Sequence, residues 1–294
     1  MSVPAAYLGV ILVWSTTSLA IKWSGEGVSF LFGVTGRMVL GAALCVALIK
    51  LLRIEFPWHA QARRAYLAVS LATYGSLICV YWGAQFIPSG WIAVLFGLTP
   101  IATAAMAAWW LNESAFSPAK LAGMLLGLAG LAVIFGGTFG MDKVVWQGIA
   151  VVLLAVVLQS ASAVWVKRVD APISSLAVTG GGLVVSLPLY LATWWLVDGA
   201  VPQDVPPRAG WSIVYLALFG SVIGFNLYYY ALQRLSAGAI ALINLVVPVT
   251  ALWVGHVWNG EVIHPQVWLG TACILLGLAA HQWGDVVLRR YARG

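Results

Sequence analysis

The chain reads as long apolar runs separated by short clusters of charge, proline and glycine. Ten runs follow one another, at about 4–23, 29–51, 64–87, 89–111, 118–137, 145–167, 173–197, 210–233, 236–259 and 265–288. Each lasts roughly 20 residues, the length an α-helix needs to cross about 30 Å of hydrocarbon. Barrel strands would alternate apolar and polar residues over about 10 positions, and these runs do not. The pattern predicts an all-α integral membrane protein of ten transmembrane helices. The longest connections, about 51–64 and 197–210, leave no room for a soluble domain.

Composition agrees. Of 294 residues, 62% are hydrophobic and only 8% charged, against about 25% charged in a soluble domain. A soluble globule is excluded, and so is disorder, which needs the opposite composition. The net charge of +6 is a topology signal rather than a nucleic-acid footprint. With the N-terminus inside, Lys50, Arg53, Arg63, Arg64, Lys120, Lys167, Arg168, Arg234, Arg289, Arg290 and Arg293 fall on the cytoplasmic side. Lys22, Lys143 and Arg208 fall outside, and Arg37 lies within a span. Both termini are therefore expected in the cytoplasm. Ser18-Leu19-Ala20 loosely resembles a cleavage site, but no Lys or Arg precedes the apolar stretch, so it is read as a retained helix. Cys45, Cys79 and Cys273 lie inside spans without CxxC spacing and are expected to be packing thiols.

The two halves repeat. Tyr81, Gln85, Pro100, Trp110 and Glu113 recur 148 residues later as Tyr229, Gln233, Pro248, Trp258 and Glu261. Pro118, Gly123 and Gly130 recur after 147 as Pro265, Gly270 and Gly277. Ser15, Lys22 and Gly75-Ser76 recur after 145 as Ser160, Lys167 and Gly220-Ser221. This divides one membrane domain into five-helix repeats at 1–140 and 141–294. Five is odd, so the second repeat enters the membrane inverted. Inverted repeats with a substrate site near the midplane are a transporter signature.

These features resemble the drug/metabolite transporter superfamily. The shared marks are five-helix halves, an Arg early in the second helix, a mid-helix Pro in the fourth and ninth, and a Glu closing both. The nearest likeness is to its EamA-type ten-helix exporters. The resemblance implies alternating access in a bacterial inner membrane and export of amino acids, metabolites or drugs. The aromatic content is similar to that of the aromatic amino-acid exporters in that branch. The family pattern implies a cavity lined by the third, fourth, eighth and ninth helices, with parts of the first and sixth.

Polar side chains within spans face protein or water rather than lipid. Tyr74, Ile78, Tyr81 and Gln85 share one face of the third helix, and Val222, Asn226, Tyr229 and Gln233 the matching face of the eighth. The first and sixth helices pair Trp14 with Gln159 and Ser15 with Ser160. Phe96 and Asn244 occupy equivalent places one turn before the two prolines. The candidate substrate-binding set is therefore Trp14, Ser15, Tyr74, Tyr81, Trp82, Gln85, Phe96, Gln159, Ser160, Trp165, Asn226, Tyr229 and Asn244. Interhelical hydrogen bonding is the alternative for the two stripes, and rim duty the alternative for the glutamines. Most of the 16 Trp, namely Trp58, Trp109, Trp110, Trp146, Trp194, Trp195, Trp211, Trp258, Trp268 and Trp283, lie near span ends and are expected in an interfacial belt. Trp14, Trp82, Trp91 and Trp165 are the interior candidates. For Arg37 a structural partner is the expectation, a substrate carboxylate the alternative.

All nine carboxylates fall in loops or at span ends. Proton pumps commonly relay protons through membrane-embedded carboxylates or His. Facilitated diffusion or exchange of a small neutral metabolite is therefore expected, with proton-coupled multidrug or metabolite export as the alternative. Phosphorylated cargo would need cationic clamps that one arginine does not supply. No HExxH, GxSxG or phosphate-binding GxxxxGKS/T motif appears, so no catalytic residue, metal or cofactor is expected. A channel or receptor is the reading from another class. The expected partners are the lipid bilayer and a small molecule such as an amino acid, with no nucleic acid. One chain should suffice, the small-residue rows Gly123–Gly127 and Gly270–Gly277 serving packing within the fold, with a homodimer seam as the alternative.

Overall fold

In lipid no water satisfies a bare N–H or C=O, so a spanning segment must close its hydrogen bonds within itself. The computed structural model describes residues 2–111, 118–136, 143–235 and 243–291. They form α1 (Val3–Trp23), α2 (Phe30–Leu51), α3 (Ala60–Gly83), α4 (Ser89–Phe96 and Thr99–Leu111), α5 (Pro118–Gly136), α6 (Lys143–Val169), α7 (Ser175–Val197), α8 (Pro207–Arg234), α9 (Ile243–Asn259) and α10 (Pro265–Tyr291). No strand occurs among the described residues. α1–α4 and α6–α8 are each long and apolar enough to cross a membrane, and α5 and α10 carry shorter apolar stretches, Leu121–Ile134 and Pro265–Gly277. Glu113 lies outside the described residues.

Local chemistry sets the ends. The Ser29 and Ser174 hydroxyls accept from Leu31 N and Ala177 N at the starts of α2 and α7, and His59 Nδ1 accepts from Ala62 N at the start of α3. α3 begins at Ala60, four residues before its apolar run, so Arg63 and Arg64 stand in its first turns. The charges mark the edge of the hydrocarbon, and a helix can run on past that edge. α4 departs from a single span. It stops at Phe96 and resumes at Thr99, because Gly97 and Pro100 put two weak helix formers within one turn. α9 keeps Pro248 inside an unbroken Ile243–Asn259, having Leu245 where α4 has Gly97.

Packing follows the repeat. α1 lies on α9 as α6 lies on α4; α2 meets α8 as α7 meets α3; α1 touches α8 as α6 touches α3. The pairs α2–α7, α4–α9 and α5–α10 bring each helix against its own mate. That is the neighbour pattern of an in-plane pseudo-two-fold. The backbone repeats too: α3 and α8 each contain a π-helical stretch, Leu71–Ser76 and Leu216–Ile223, starting 145 residues apart. Apolar side chains face outward as well as inward. Leu125, Leu128, Leu269 and Leu276 are exposed, while Ser160, Ser186, Ser221 and Thr73 are completely buried. Trp58, Trp109, Trp146, Trp195, Trp211, Trp258, Trp268 and Trp283 are exposed, as a belt requires, whereas Trp110 and Trp194 are half-buried. Cys45 is buried, whereas Cys79 and Cys273 are only half-buried.

The small-residue rows meet one another inside the chain. A Cβ on Gly277 would stand 2.6 Å from the Gly123 carbonyl oxygen and 2.7 Å from Gly127 N; one on Gly130 would stand 2.6 Å from the Gly270 oxygen. Backbone approach of this kind is how helices gain contact where no hydrophobic force separates protein from solvent. Gly277→Val should wedge α5 from α10 and lower stability by about 1–3 kcal/mol. A fall of several degrees in the unfolding midpoint of detergent-purified protein checks it.

Candidate functional site

The interior polar groups gather in three places. One is aromatic. Trp14 of α1 lies 5.1 Å, ring to ring, from Tyr228 of α8, and Tyr228 lies 5.2 Å from Tyr229 in an edge-on contact. Gln159 of α6 lies beside the Tyr228 hydroxyl, and Ser162, one turn further on, lies beside Tyr229 with its own hydroxyl buried and without a hydrogen-bond partner among the described residues. Trp165 packs half-buried against the larger hydrophobic cluster that contains Tyr228 and Tyr229. Gly224 lets α8 come close to α1 beside Trp14, since a Cβ there would stand 3.2 Å from Val13 Cγ1. Trp14, Gln159 and Tyr229 are thus brought together from both halves. Tyr228 and Ser162 belong with them, Tyr228 next to Tyr229 in sequence and Ser162 two residues after Ser160 on the same helix.

The second group lies where α1 and α6 meet the proline helices. Ser15 Oγ and Thr250 Oγ1 share a hydrogen bond of 2.5 Å between α1 and α9. Ser160 Oγ donates to the Thr99 carbonyl at 3.3 Å between α6 and α4. The repeat equivalence of Ser15 and Ser160 is therefore structural as well: each ties its helix to the proline helix of the other half. Ser160 takes a carbonyl at the break before Pro100. Phe96 stands half-buried at the same break.

The third group lies among α2, α3, α7 and α8. Tyr74 Oη shares a 2.7 Å hydrogen bond with Thr193 Oγ1, and its ring meets that of Tyr190 edge-on at 4.9 Å. Tyr190 donates to the Thr73 carbonyl at 2.8 Å. Tyr81 lies with its ring centre 5.9 Å from Arg37 Cζ. Tyr190 and Thr193 went unnoticed in the sequence because α7 has no counterpart to the tyrosine stripes of α3 and α8.

Other predicted residues stand apart. Gln85 is exposed and its Nε2 donates to the Trp82 carbonyl, while Trp82 stacks edge-on with Phe86 at 4.7 Å. Asn226 Oδ1 accepts from Ser175 Oγ at 2.8 Å, which ties α8 to the start of α7. The side chain of Asn244 lies outside the described residues.

At one end of the bundle Glu261 joins the halves. Ser89 donates to Oε1 through its backbone N at 3.1 Å and its hydroxyl at 2.8 Å, and Gly90 N donates to Oε2 at 3.3 Å. The carboxylate therefore sits on the N-terminus of α4, where free N–H groups and the helix dipole favour an anion. Asn259 Nδ2 donates at 3.1 Å and Lys22 Nζ lies 3.6 Å away. Gly255 leaves space, because a Cβ would come within 2.7 Å of Oε2. Burial would raise the Glu261 pKa, but the Ser89 bonds, Lys22 and Asn259 outweigh it and hold the carboxyl below its ordinary range. Beside it Trp23 Nε1 donates to Asn259 Oδ1 at 2.9 Å, and Arg208 lies 4.1 Å above the Trp23 ring.

Known proteins show what such a scaffold serves. The model of the EamA-like transporter family matches twice, over residues 3–136 and 146–280. The chain belongs to the EamA-like transporter family. A relative described as a probable terminal-alkyne amino-acid exporter of Streptantibioticus cattleyicolor is 30% identical, the match spanning 90% of this chain and 91% of that one. An S-adenosylmethionine/S-adenosylhomocysteine transporter of Chlamydia muridarum is 26% identical over 90% and 86%. The uncharacterized inner membrane transporter YedA of Escherichia coli is 24% identical over 93% and 88%. A solved crystal structure shares the fold at a TM-score of 0.71 with 21% identity, covering 99% of this chain and 98% of its own. This EamA-like chain is accordingly a multi-pass membrane transporter of small molecules.

Glu261→Gln should remove about 1–3 kcal/mol by taking the charge from two N–H donors, a hydroxyl and a lysine. Because folding lowers the Glu261 pKa, its contribution is complete above the ordinary value of 4.5 and disappears as pH falls through the lowered one. The gap in unfolding midpoint between wild type and variant should hold from pH 7 to pH 5 and close in more acid solution. A gap independent of pH would contradict the assignment.

Proposed function

We propose that the chain exports small neutral amino acids, aromatic and hydrophobic ones foremost, by alternating access through facilitated diffusion or exchange. One observation carries this reading. At the seam between the repeats, Trp14, Tyr228 and Tyr229 supply stacking surface while Gln159 and Ser162 supply neutral donors and acceptors. A zwitterion with an apolar side chain needs that combination, since aromatic faces take the side chain and uncharged polar groups replace its water. An amino-acid exporter among the relatives supports the substrate class.

The coupling follows from where charge is missing. Among the described residues Glu26, Glu55, Asp170, Asp198, Asp204 and Glu261 stand outside the helices, and Asp285 lies in α10 beyond its apolar stretch Pro265–Gly277, so no described carboxylate sits within an apolar stretch to relay a proton. The pairs Ser15–Thr250 and Ser160–Thr99, each joining opposite halves, are the contacts a rocking motion of one repeat against the other would exchange. The excess of basic residues in alternate loops puts both termini in the cytoplasm and Glu261 at the outer surface.

Proteoliposomes preloaded with L-phenylalanine should show saturable counterflow of external labelled L-phenylalanine. Trp14→Ala and Tyr228→Ala should each weaken its apparent affinity about fivefold or more, a loss of ~1 kcal/mol or more of stacking. Absence of transport and of competition by Phe, Tyr, Trp and Met would end the amino-acid reading. Concentrative uptake driven by a pH gradient would replace exchange with proton coupling.

A further inference from the structure

Arg37 is the one basic residue well inside a span, and only 1% of its surface is exposed. Its Nε donates to Ser221 Oγ at 2.9 Å. Gly220 makes space beside it, for a Cβ there would stand 2.9 Å from Nη2. The Ser221 bond meets the expectation of a structural partner for one nitrogen only. Nη1 has no hydrogen-bond partner among the described residues, and neither does the hydroxyl of Tyr81, which is 2% exposed and whose ring lies beside the guanidinium. Among the described residues no carboxylate pairs with this charge. The described ion pairs, Lys22–Glu261 and Arg208–Glu26, involve loop carboxylates and other cations.

The pseudo-symmetric position shows that packing does not require this charge. Gly182 of α7 aligns with Arg37 of α2, and there α7 lies directly against Val69 of α3. Thr73 and Ser186 share a hydrogen bond of 2.6 Å across that contact, and Tyr190 takes the Thr73 carbonyl. Glycine and neutral hydroxyls thus close one copy of the interface with these groups satisfied. The other copy carries an arginine whose insertion costs about 2.5–3.5 kcal/mol, and it leaves a cationic donor and a phenol unpaired. A missing donor–acceptor pair at a buried cation is matched by an anion with two acceptor oxygens.

We propose that Arg37 and Tyr81 form the subsite for the carboxylate of the transported molecule, Nη1 and the phenol hydroxyl each donating to it. The subsite rests on the transport reading given above and adds the group that distinguishes an amino acid from an amine. Arg37 and Tyr81 come from the first repeat, Ser221 and Gly220 from the second, so the carboxylate is held at the seam that alternating access opens. Ser221 keeps the guanidinium in place from the opposite half. At 1% exposure the subsite is closed in this conformation, and a substrate reaches it when the repeats part.

Three probes separate the possibilities: L-phenylalanine, 3-phenylpropionate without the ammonium, and phenethylamine without the carboxylate. Their affinities are read from the shift in unfolding midpoint of the full-length chain in detergent and from inhibition of counterflow. In wild type both acids should bind. In Arg37→Gln the ratio of acid to amine affinity should fall about tenfold or more, and in Tyr81→Phe about threefold, the loss of hydrogen bonds to a charged group. Arg37→Lys should recover part of that ratio. An unchanged ratio in Tyr81→Phe and Arg37→Lys, or equal loss of all three probes, overturns the subsite even if Arg37→Gln fails to fold. Equal L-phenylalanine transport by wild type and Arg37→Gln also removes the subsite and leaves the amino-acid reading standing. Protection of wild type by 3-phenylpropionate alone, lost in Arg37→Gln, does the reverse. No binding of either acid to wild type removes both.

Discussion

A bilayer offers a polar group no water, and the structure of this chain follows from that constraint. Every span is helical because only a helix closes its own backbone hydrogen bonds in lipid. Side chains obey the same rule. Ser15, Thr73, Tyr74, Ser160 and Tyr190 all point inward and find partners on other helices, while leucines such as Leu125, Leu128, Leu269 and Leu276 face the outside at no such cost. Where backbones come closest, at α5 and α10, the contact is made by glycine rather than by large apolar side chains.

The same constraint makes the exceptions informative. A satisfied hydroxyl within a helix pair costs little, so Ser and Thr serve as ordinary fasteners between repeats. An arginine with a free nitrogen beside an unpaired phenol has no such explanation in packing. The contrast between Arg37 and Gly182, two positions that the pseudo-symmetry makes equivalent, marks where the halves stopped being interchangeable. Likewise the break in α4 before Pro100 has no match at Pro248. In the reading proposed above, symmetric scaffolding carries the motion and asymmetric residues at the seam carry recognition.

Glu261 shows how loops take part. It binds the N-terminus of α4 from the far end of α9, with Lys22 of α1 alongside, so one carboxylate joins both repeats at one end of the molecule. Neither the loop nor the helix end would order that contact alone; the dipole of α4 and the space left by Gly255 do so together.

Hydrophobic run length and the repeat of Pro, Gly, Glu and Tyr were enough to read ten helices, their inverted pairing and the interfacial tryptophans, because a bilayer sets span length and belt position for any chain that crosses it. Sequence also marked Trp14, Gln159 and Tyr229, which the fold brings together, and Ser15 and Ser160 at equivalent joints. It did not show that Asn226 turns to Ser175 or that Gln85 bonds back to its own helix. Nor did it show that Tyr190 joins Tyr74 or that the space beside Arg37 is made by Gly220. Those outcomes depend on helix rotation and crossing, which are decided by how whole helices pack on one another. Periodicity along one strand of sequence records which face is polar; only packing decides what that face meets.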